Sequence, residues 1–418
     1  MATSESTVDS RESTADRPGS RRTVLAGAFL LNLAAGAYEI VPASVTPTAM
    51  AELGVGPVAA GWLVSVMFLT AVVASVPVGV ALDRVDVDRA VTAATLLLLV
   101  AGAWGWRAAT AGAYDWLFAS RILGGTAFVV IWNAGNVVVG SAFGPANRAT
   151  AVGLFTASAP AGFALGQFSG PLVSARLGWA AVFGVYGPLA VVGLVVYLLG
   201  GGHAADAAGT AIPSRRDLGA VLTHPGVWTI SILGFLAYSL YLFVNSWLPT
   251  YMTETSTLTN AQIGLLVALF PAMGALSRTT GGLISDRLFD ARRRPVALLS
   301  FAVTAPTFVA FVLTDSVALL VALLAVSGYF VQLGLGLFFS YVREVVDPSV
   351  ASTAVSILTA VGLFGAFVSP IGAGWLIERT GSYPLAFGLA TGLTAVAAAL
   401  AWFAPRVPRD ERSTGVDR

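Results

Sequence analysis

Three ionisable residues lie inside stretches of the sequence that are otherwise apolar: Glu39, Arg121 and Arg278. On insertion scales a charge at the centre of a bilayer costs about 2.5–3.5 kcal/mol, so a residue of this kind faces a partner, a cavity or a solute. Glu39 has two readings. It is a carboxylate held permanently by Arg121, or a proton site that loads and unloads as its surroundings dry and wet. Arg278 either reaches to the membrane edge along its aliphatic stem or stands as a fixed positive charge for an anion. Asn32, Asn133, Asn136, Gln167, Asn245 and Gln332 add amides that donate and accept, equally suited to binding a solute or to joining helices. Tyr38 and Tyr241, with Trp132, Tyr238 and Tyr329, are rings that line a cavity or pack a core.

Several chemistries are excluded. The chain has no Cys, which removes disulfides, thiolate metal sites and a Cys nucleophile. All 23 basic residues are Arg, so no phosphate-binding loop with its Lys exists, and neither H-E-x-x-H nor G-x-S-x-G occurs. His203 and His224 both fall in a central polar stretch. No metal site, cofactor or catalytic group is expected, and a net charge of +1 gives no footprint for nucleic acid.

The elements that position the three charges follow from composition. At 56% hydrophobic and 11% charged, 418 residues would make a soluble domain with an apolar surface, so the chain belongs in lipid. Apolar runs of bilayer-spanning length recur twelve times, six between residues 23 and 200 and six between 227 and 404. The expected organisation is a disordered tail over 1–22, a six-helix bundle over 23–200, a central loop over 201–226, a second bundle over 227–404 and a tail over 405–418. Ser20-Arg21-Arg22 resembles a twin-arginine signal, but the apolar run behind it outlasts a signal peptide. The termini and the connections on their side hold 18 Arg, and the opposite side holds Arg107, Arg176 and Arg379. The positive-inside rule then puts both termini in the cytoplasm of a cell-membrane protein.

A repeat at an offset of 203 residues relates the halves. Gly79-Val-Ala-Leu-Asp83-Arg84 recurs as Gly282-Leu-Ile-Ser-Asp286-Arg287, and Gly61, Gly162, Arg176 and Gly178 recur as Gly264, Gly365, Arg379 and Gly381. Parallel repeats of this kind place a solute site between the halves near the membrane midplane. The three buried charges break the repeat, since Arg121 corresponds to Leu324, Arg278 to Ser75 and Glu39 to Tyr241 or Leu242. Duplicated scaffold keeps its residues, so unrepeated charges mark the site.

The G-x-x-x-D-R loops after helices 2 and 8 resemble the signature of the major facilitator superfamily, and the resemblance runs over nearly the whole chain. It implies an all-helical carrier of two pseudo-repeats that works by alternating access. Gly79, Asp83, Arg84, Gly282, Asp286 and Arg287 would then gate the cytoplasmic mouth, with Arg148 between helices 4 and 5 as a partner. Arg121-Ile-Leu-Gly-Gly125 is similar to the family's buried-Arg motif on helix 4. Gly162-Phe-Ala-Leu-Gly166 has the spacing of its antiporter motif, but Gln167 stands where Pro would follow, so exchange does not follow from it. Tyr38-Glu39-Ile-Val-Pro42 resembles the acid-bearing helix 1 of drug-type proton antiporters. Leu276-Ser277-Arg278-Thr-Thr-Gly281-Gly282 and Trp247-Leu-Pro-Thr-Tyr251 are similar to groups that carry nitrate, cyanate or carboxylates. The expectation is proton-coupled transport of a small anion by a monomer in lipid; the first alternative is a proton-driven exporter of drugs or metabolites, and the second is a non-transporting membrane sensor or a channel.

Overall fold

A computed structural model of the protein describes residues 18–82, 84–202, 219, 221–290, 292–314 and 316–406. Among them are twelve helices long and apolar enough to cross a membrane: Ser20–Leu53, Pro57–Ser75, Val87–Thr110, Tyr114–Ala142, Asn147–Leu177, Trp179–Leu199, Pro225–Thr255, Asn260–Leu288, Arg293–Phe311, Val317–Glu344, Pro348–Thr380 and Tyr383–Phe403. We call these spans 1 to 12. The chain is thus an all-helical multi-pass membrane protein.

Helix limits follow local chemistry. Proline, whose missing N–H is no loss in a first turn, opens the helices at Pro18, Pro57, Pro145 and Pro225. Asp86 accepts from Arg89 N at 2.9 Å, and Thr259 and Gln262 cap span 8 reciprocally. Gly54 (φ 64°) and Gly381 (φ 63°) close spans 1 and 11 in the left-handed region that favours glycine. Span 1 is not one continuous α-helix. It runs from Pro18 to Ile40, tightens to a 3-10 segment over Val41–Val45 and resumes over Thr46–Leu53.

The expected tail limit at residue 22 is corrected: the first helix begins at Pro18. Hydrophobic pattern marks where a helix is buried, whereas the polar turn Ser20-Arg21-Arg22 is helical beyond that point. The rest of the expected tail and most of the central loop lie outside the described residues.

Packing repeats with the sequence. Span 1 lies on spans 5 and 6, span 3 on span 4 and span 2 on span 4; correspondingly, span 7 lies on spans 11 and 12, span 9 on span 10 and span 8 on span 10. Two main seams join the halves, span 5 against span 8 and span 2 against span 11, and the 3-10 segment of span 1 makes a smaller contact with span 7. Repeated glycines hold equivalent places. A Cβ on Gly162 would collide with the Leu33 carbonyl oxygen, and one on Gly365 with that of Phe235. At the seams, a Cβ on Gly61 would lie 2.7 Å from the Pro370 oxygen, and one on Gly264 2.8 Å from the Gln167 oxygen. Residues 167 and 370 are themselves 203 apart, so the glycines let backbones touch at symmetry-related points.

Candidate functional site

The N-terminal half buries Arg121 completely, and its surroundings follow from one proline. Pro42 has no N–H, so neither the α-type bond to the Tyr38 carbonyl nor the 3-10-type bond to the Glu39 carbonyl can form. Arg121 supplies both. Its Nη1 donates to Tyr38 O at 2.7 Å, its Nη2 to Glu39 O at 2.5 Å, and its Nε to Leu63 O of span 2 at 2.8 Å. The guanidinium carbon also lies 4.5 Å from the centre of the Tyr38 ring, a cation–π arrangement. Expected pairing of Arg121 with the Glu39 carboxylate is therefore corrected: the guanidinium contacts the residue's main chain. Glu39 is 1% exposed, and its Oε1 has no hydrogen-bond partner. Tyr38 packs inside the N-terminal core, its ring against Gly124 of span 4, rather than at a seam.

At the span 5–span 8 seam, Arg278 reaches both ways. Its Nε donates to Gln332 Oε1 of span 10 at 3.0 Å, and its Nη1 crosses the seam to Thr156 O at 3.2 Å. Tyr238 and Tyr241 of span 7 lie within the electrostatic reach of both Arg278 and Glu39. The Tyr241 ring is stacked between Phe163 of span 5 at 5.4 Å and Phe270 of span 8 at 5.8 Å, so aromatic packing closes the same seam. A second polar bond crosses between halves where Gln167 Nε2 donates to Asn245 O at 2.6 Å. Asn32 Nδ2 donates to Ser158 Oγ at 2.7 Å, joining spans 1 and 5. Buried polar atoms without partners include Asn32 Oδ1, Gln167 Oε1, Tyr241 Oη, Asn245 Oδ1 and Gln332 Nε2. Such atoms are costly unless a ligand or a second conformation uses them.

Not every expected residue joins this group. Asn136 Nδ2 donates to Trp132 O of its own helix at 2.8 Å, and Asn133 is half-buried on the same span. Of the loop residues, Asp83 lies outside the described residues. Asp286 pairs with Arg293 at 3.1 Å, and Arg293 continues to Glu344 of span 10 at 2.9 Å. Arg148 donates to Phe143 O at 3.3 Å, within its own connection. Expected pairing of these loops through Arg148 is therefore absent among the described residues; Asp286 takes a cation seven residues away in its own half. Arg84 and Arg287 are exposed, and Gly79 and Gly282 face open space.

The reason is visible along the seams. At the end opposite the Arg-rich connections the halves touch: Val58 N donates to Glu378 Oε2 at 3.1 Å, and a Cβ on Gly374 would lie 2.6 Å from Pro57 O. Between described residues, three hydrogen bonds join the halves, from Val58, Gln167 and Arg278. None lies at the level of Asp286. Sequence reading missed Thr156, Phe163, Phe270, Glu344 and Glu378. Only Thr156 carried a local signal, because Pro160 follows it by four residues.

The sequence profile of the Major Facilitator Superfamily matches residues 24–287 and 230–418. Among curated relatives, the probable sulfoacetate transporter SauU of Cupriavidus necator is 28% identical over 209 residues, covering 48% of this chain and 47% of that protein. The nitrite extrusion protein of Bacillus subtilis is 25% identical over 230 residues, covering 54% of this chain and 56% of that protein. The matched part of this chain thus spans about half the length of these two. The probable galactarate/D-glucarate transporter GudP of Bacillus subtilis is 24% identical over 393 residues, 84% of either chain. Among solved structures, a bacterial homologue of the human lysosomal transporter Spinster, inward-facing and unoccupied, superposes with a TM-score of 0.76 at 15% identity, covering 93% of this chain and 97% of that one. With the signature loops, the repeated packing and a profile match across the whole spanning region, the chain belongs to the Major Facilitator Superfamily, a family of membrane transporters.

Proposed function

We propose that this chain is a secondary active transporter that moves a small organic or inorganic anion by alternating access, coupled to protons. The observation that carries the reading is Arg278, a guanidinium set at the seam between the halves, where no acidic side chain neutralises it among the described residues. A fixed, forked cation in a place alternately open to either side suits an anionic group. Relatives support the same class: SauU, the nitrite extrusion protein and GudP are named for sulfoacetate, nitrite and sugar diacids. Glu39 is the proposed proton carrier. It is walled off, it is unclaimed by Arg121, and a carboxyl that meets water in one state and not in the other exchanges a proton with the cycle. Gln332, Tyr241, Asn245, Gln167 and Asn32 are the proposed polar contacts, and the signature loops close the mouth in the opposite state. We take the protein as a monomer in the cell membrane with its Arg-rich end cytoplasmic, organised as the two bundles and connecting segments expected above. Export of a metabolite is the second reading, favoured by the likeness to a nitrite extrusion protein.

The test is solute-driven pH change in proteoliposomes with sulfoacetate, nitrite, nitrate, glucarate and a panel of cationic drugs. An anion that carries protons with it, losing coupling in Glu39→Gln and uptake in Arg278→Ala, is the expected result. Exchange of cationic drugs for protons with an unaffected Arg278→Ala variant would overturn the anion reading, and the sign of the pH change decides direction.

A further inference from the structure

Three main-chain carbonyls in the spans have been released by a proline and taken up by a side chain from another span. A proline four residues on supplies no N–H, so the carbonyl before it loses its helical partner. Pro42 releases Tyr38 O, which Arg121 binds inside the N-terminal half. Pro160 releases Thr156 O, which Arg278 binds from the other half. Pro249 releases Asn245 O, which Gln167 binds, again across the halves. The remaining hydrogen bond between the halves, from Val58 to Glu378, sits at the ends of spans 2 and 11. Both bonds that join the halves within the span bodies therefore end on a proline-released carbonyl.

We propose that the Thr156 carbonyl is a built-in stand-in for the solute's anionic group. In the empty protein it holds Arg278 across the span 5–span 8 seam. Arrival of the anion breaks the hydrogen bond from Nη1 to Thr156 O and forms one from Nη1 to the anion's oxygen, so binding and release of the seam are one event. Gln332 is the positioning residue for this exchange. Its Oε1 fixes Nε at 3.0 Å, so the guanidinium stays in place while Nη1 changes partner. The released carbonyl has no helical donor to return to, because residue 160 is proline, and this opposes binding until the seam rearranges. The exchange rests on Arg278 being the anion contact proposed above, whereas the catch across the seam stands on the Arg278–Thr156 bond alone.

Pro160→Ala restores an N–H that draws Thr156 O back into its helix. The chain has no Cys, so Gly153→Cys and Gly282→Cys give a clean pair for spin labels. Each lies about one turn from the bonded residues on the Arg-rich side, with space for a label. Without solute, Pro160→Ala and Pro160→Gly should both lengthen the interlabel distance, as should Arg278→Ala. The Pro160→Ala/Arg278→Ala double variant should be no longer than either. Pro306→Ala in span 9 is the control and should leave the distance unchanged. With sulfoacetate as first probe, then nitrite, nitrate and glucarate, the native protein should lengthen to the Pro160→Ala distance, and Pro160→Ala should bind about tenfold more tightly. The catch is refuted by proline variants that match Pro306→Ala, or by a double variant whose change is the sum of the two. A catch that behaves as described while no anion lengthens the native distance refutes the stand-in alone. Unchanged anion transport in Arg278→Ala refutes the function proposed above and leaves the catch to be judged on its distances.

Discussion

Arg121→Lys separates two accounts of how the N-terminal half is held. The guanidinium makes three hydrogen bonds to carbonyls, at 2.8, 2.7 and 2.5 Å, on two different spans. An ammonium is a single point and cannot fork to Tyr38, Glu39 and Leu63 together. Retaining one of three bonds loses two, each worth about 1.5 kcal/mol at the lower end for a charged donor. The lower end applies because an unfolded chain in detergent finds other partners. The expected loss is about 3 kcal/mol, or about a hundredfold in the folded-to-unfolded ratio. Glu39→Gln keeps the backbone carbonyl that Arg121 uses and should cost less than about 1 kcal/mol. The assay is equilibrium unfolding in mixed micelles followed by Trp fluorescence, on both single variants and the double. If Glu39→Gln costs as much as Arg121→Lys and the double costs no more than either, the guanidinium is held by the carboxylate and the carbonyl account is wrong.

Two further outcomes follow from the packing. Gly162→Val should destabilise the protein by at least about 2 kcal/mol, because the new side chain enters the Leu33 carbonyl and separates spans 1 and 5; a thermal midpoint equal to native would show that these helices are free to part. Gly153→Val, where a Cβ meets nothing within 4 Å, serves as its control. Glu378→Ala removes the acceptor that closes the span 2–span 11 seam on Val58 N. It should increase the population parted at that end, read as a longer distance between labels on the exposed positions Glu52→Cys and Thr380→Cys, and an unchanged distribution would show that the glycine contacts alone hold the seam.

Much of the architecture was legible in the linear chain, for reasons that are local or periodic. Length and apolarity define a span without reference to its neighbours, and twelve such runs are counted directly. The offset of 203 survives because duplicated glycines keep duplicated tasks, as Gly162 and Gly365 do against Leu33 and Phe235. Depth in an apolar run marked Glu39, Arg121 and Arg278 as costly and therefore purposeful. The partners of those charges were decided only in three dimensions. Arg121 lies more than 80 residues from the carbonyls of span 1 that it binds, and sequence offers a nearby acid without saying which of its oxygens is within reach. Arg278 meets Thr156 over 122 residues, through a carbonyl that every residue type possesses. Side-chain identity says nothing about such an acceptor. What makes it available is the proline four residues on, and what makes it useful is the seam that brings another span beside it. Composition and spacing thus determine how many helices form and where charge is buried, because these depend on short stretches of chain. Hydrogen-bond partners and the closed end of the molecule depend on how distant helices pack, and tertiary structure alone decides them.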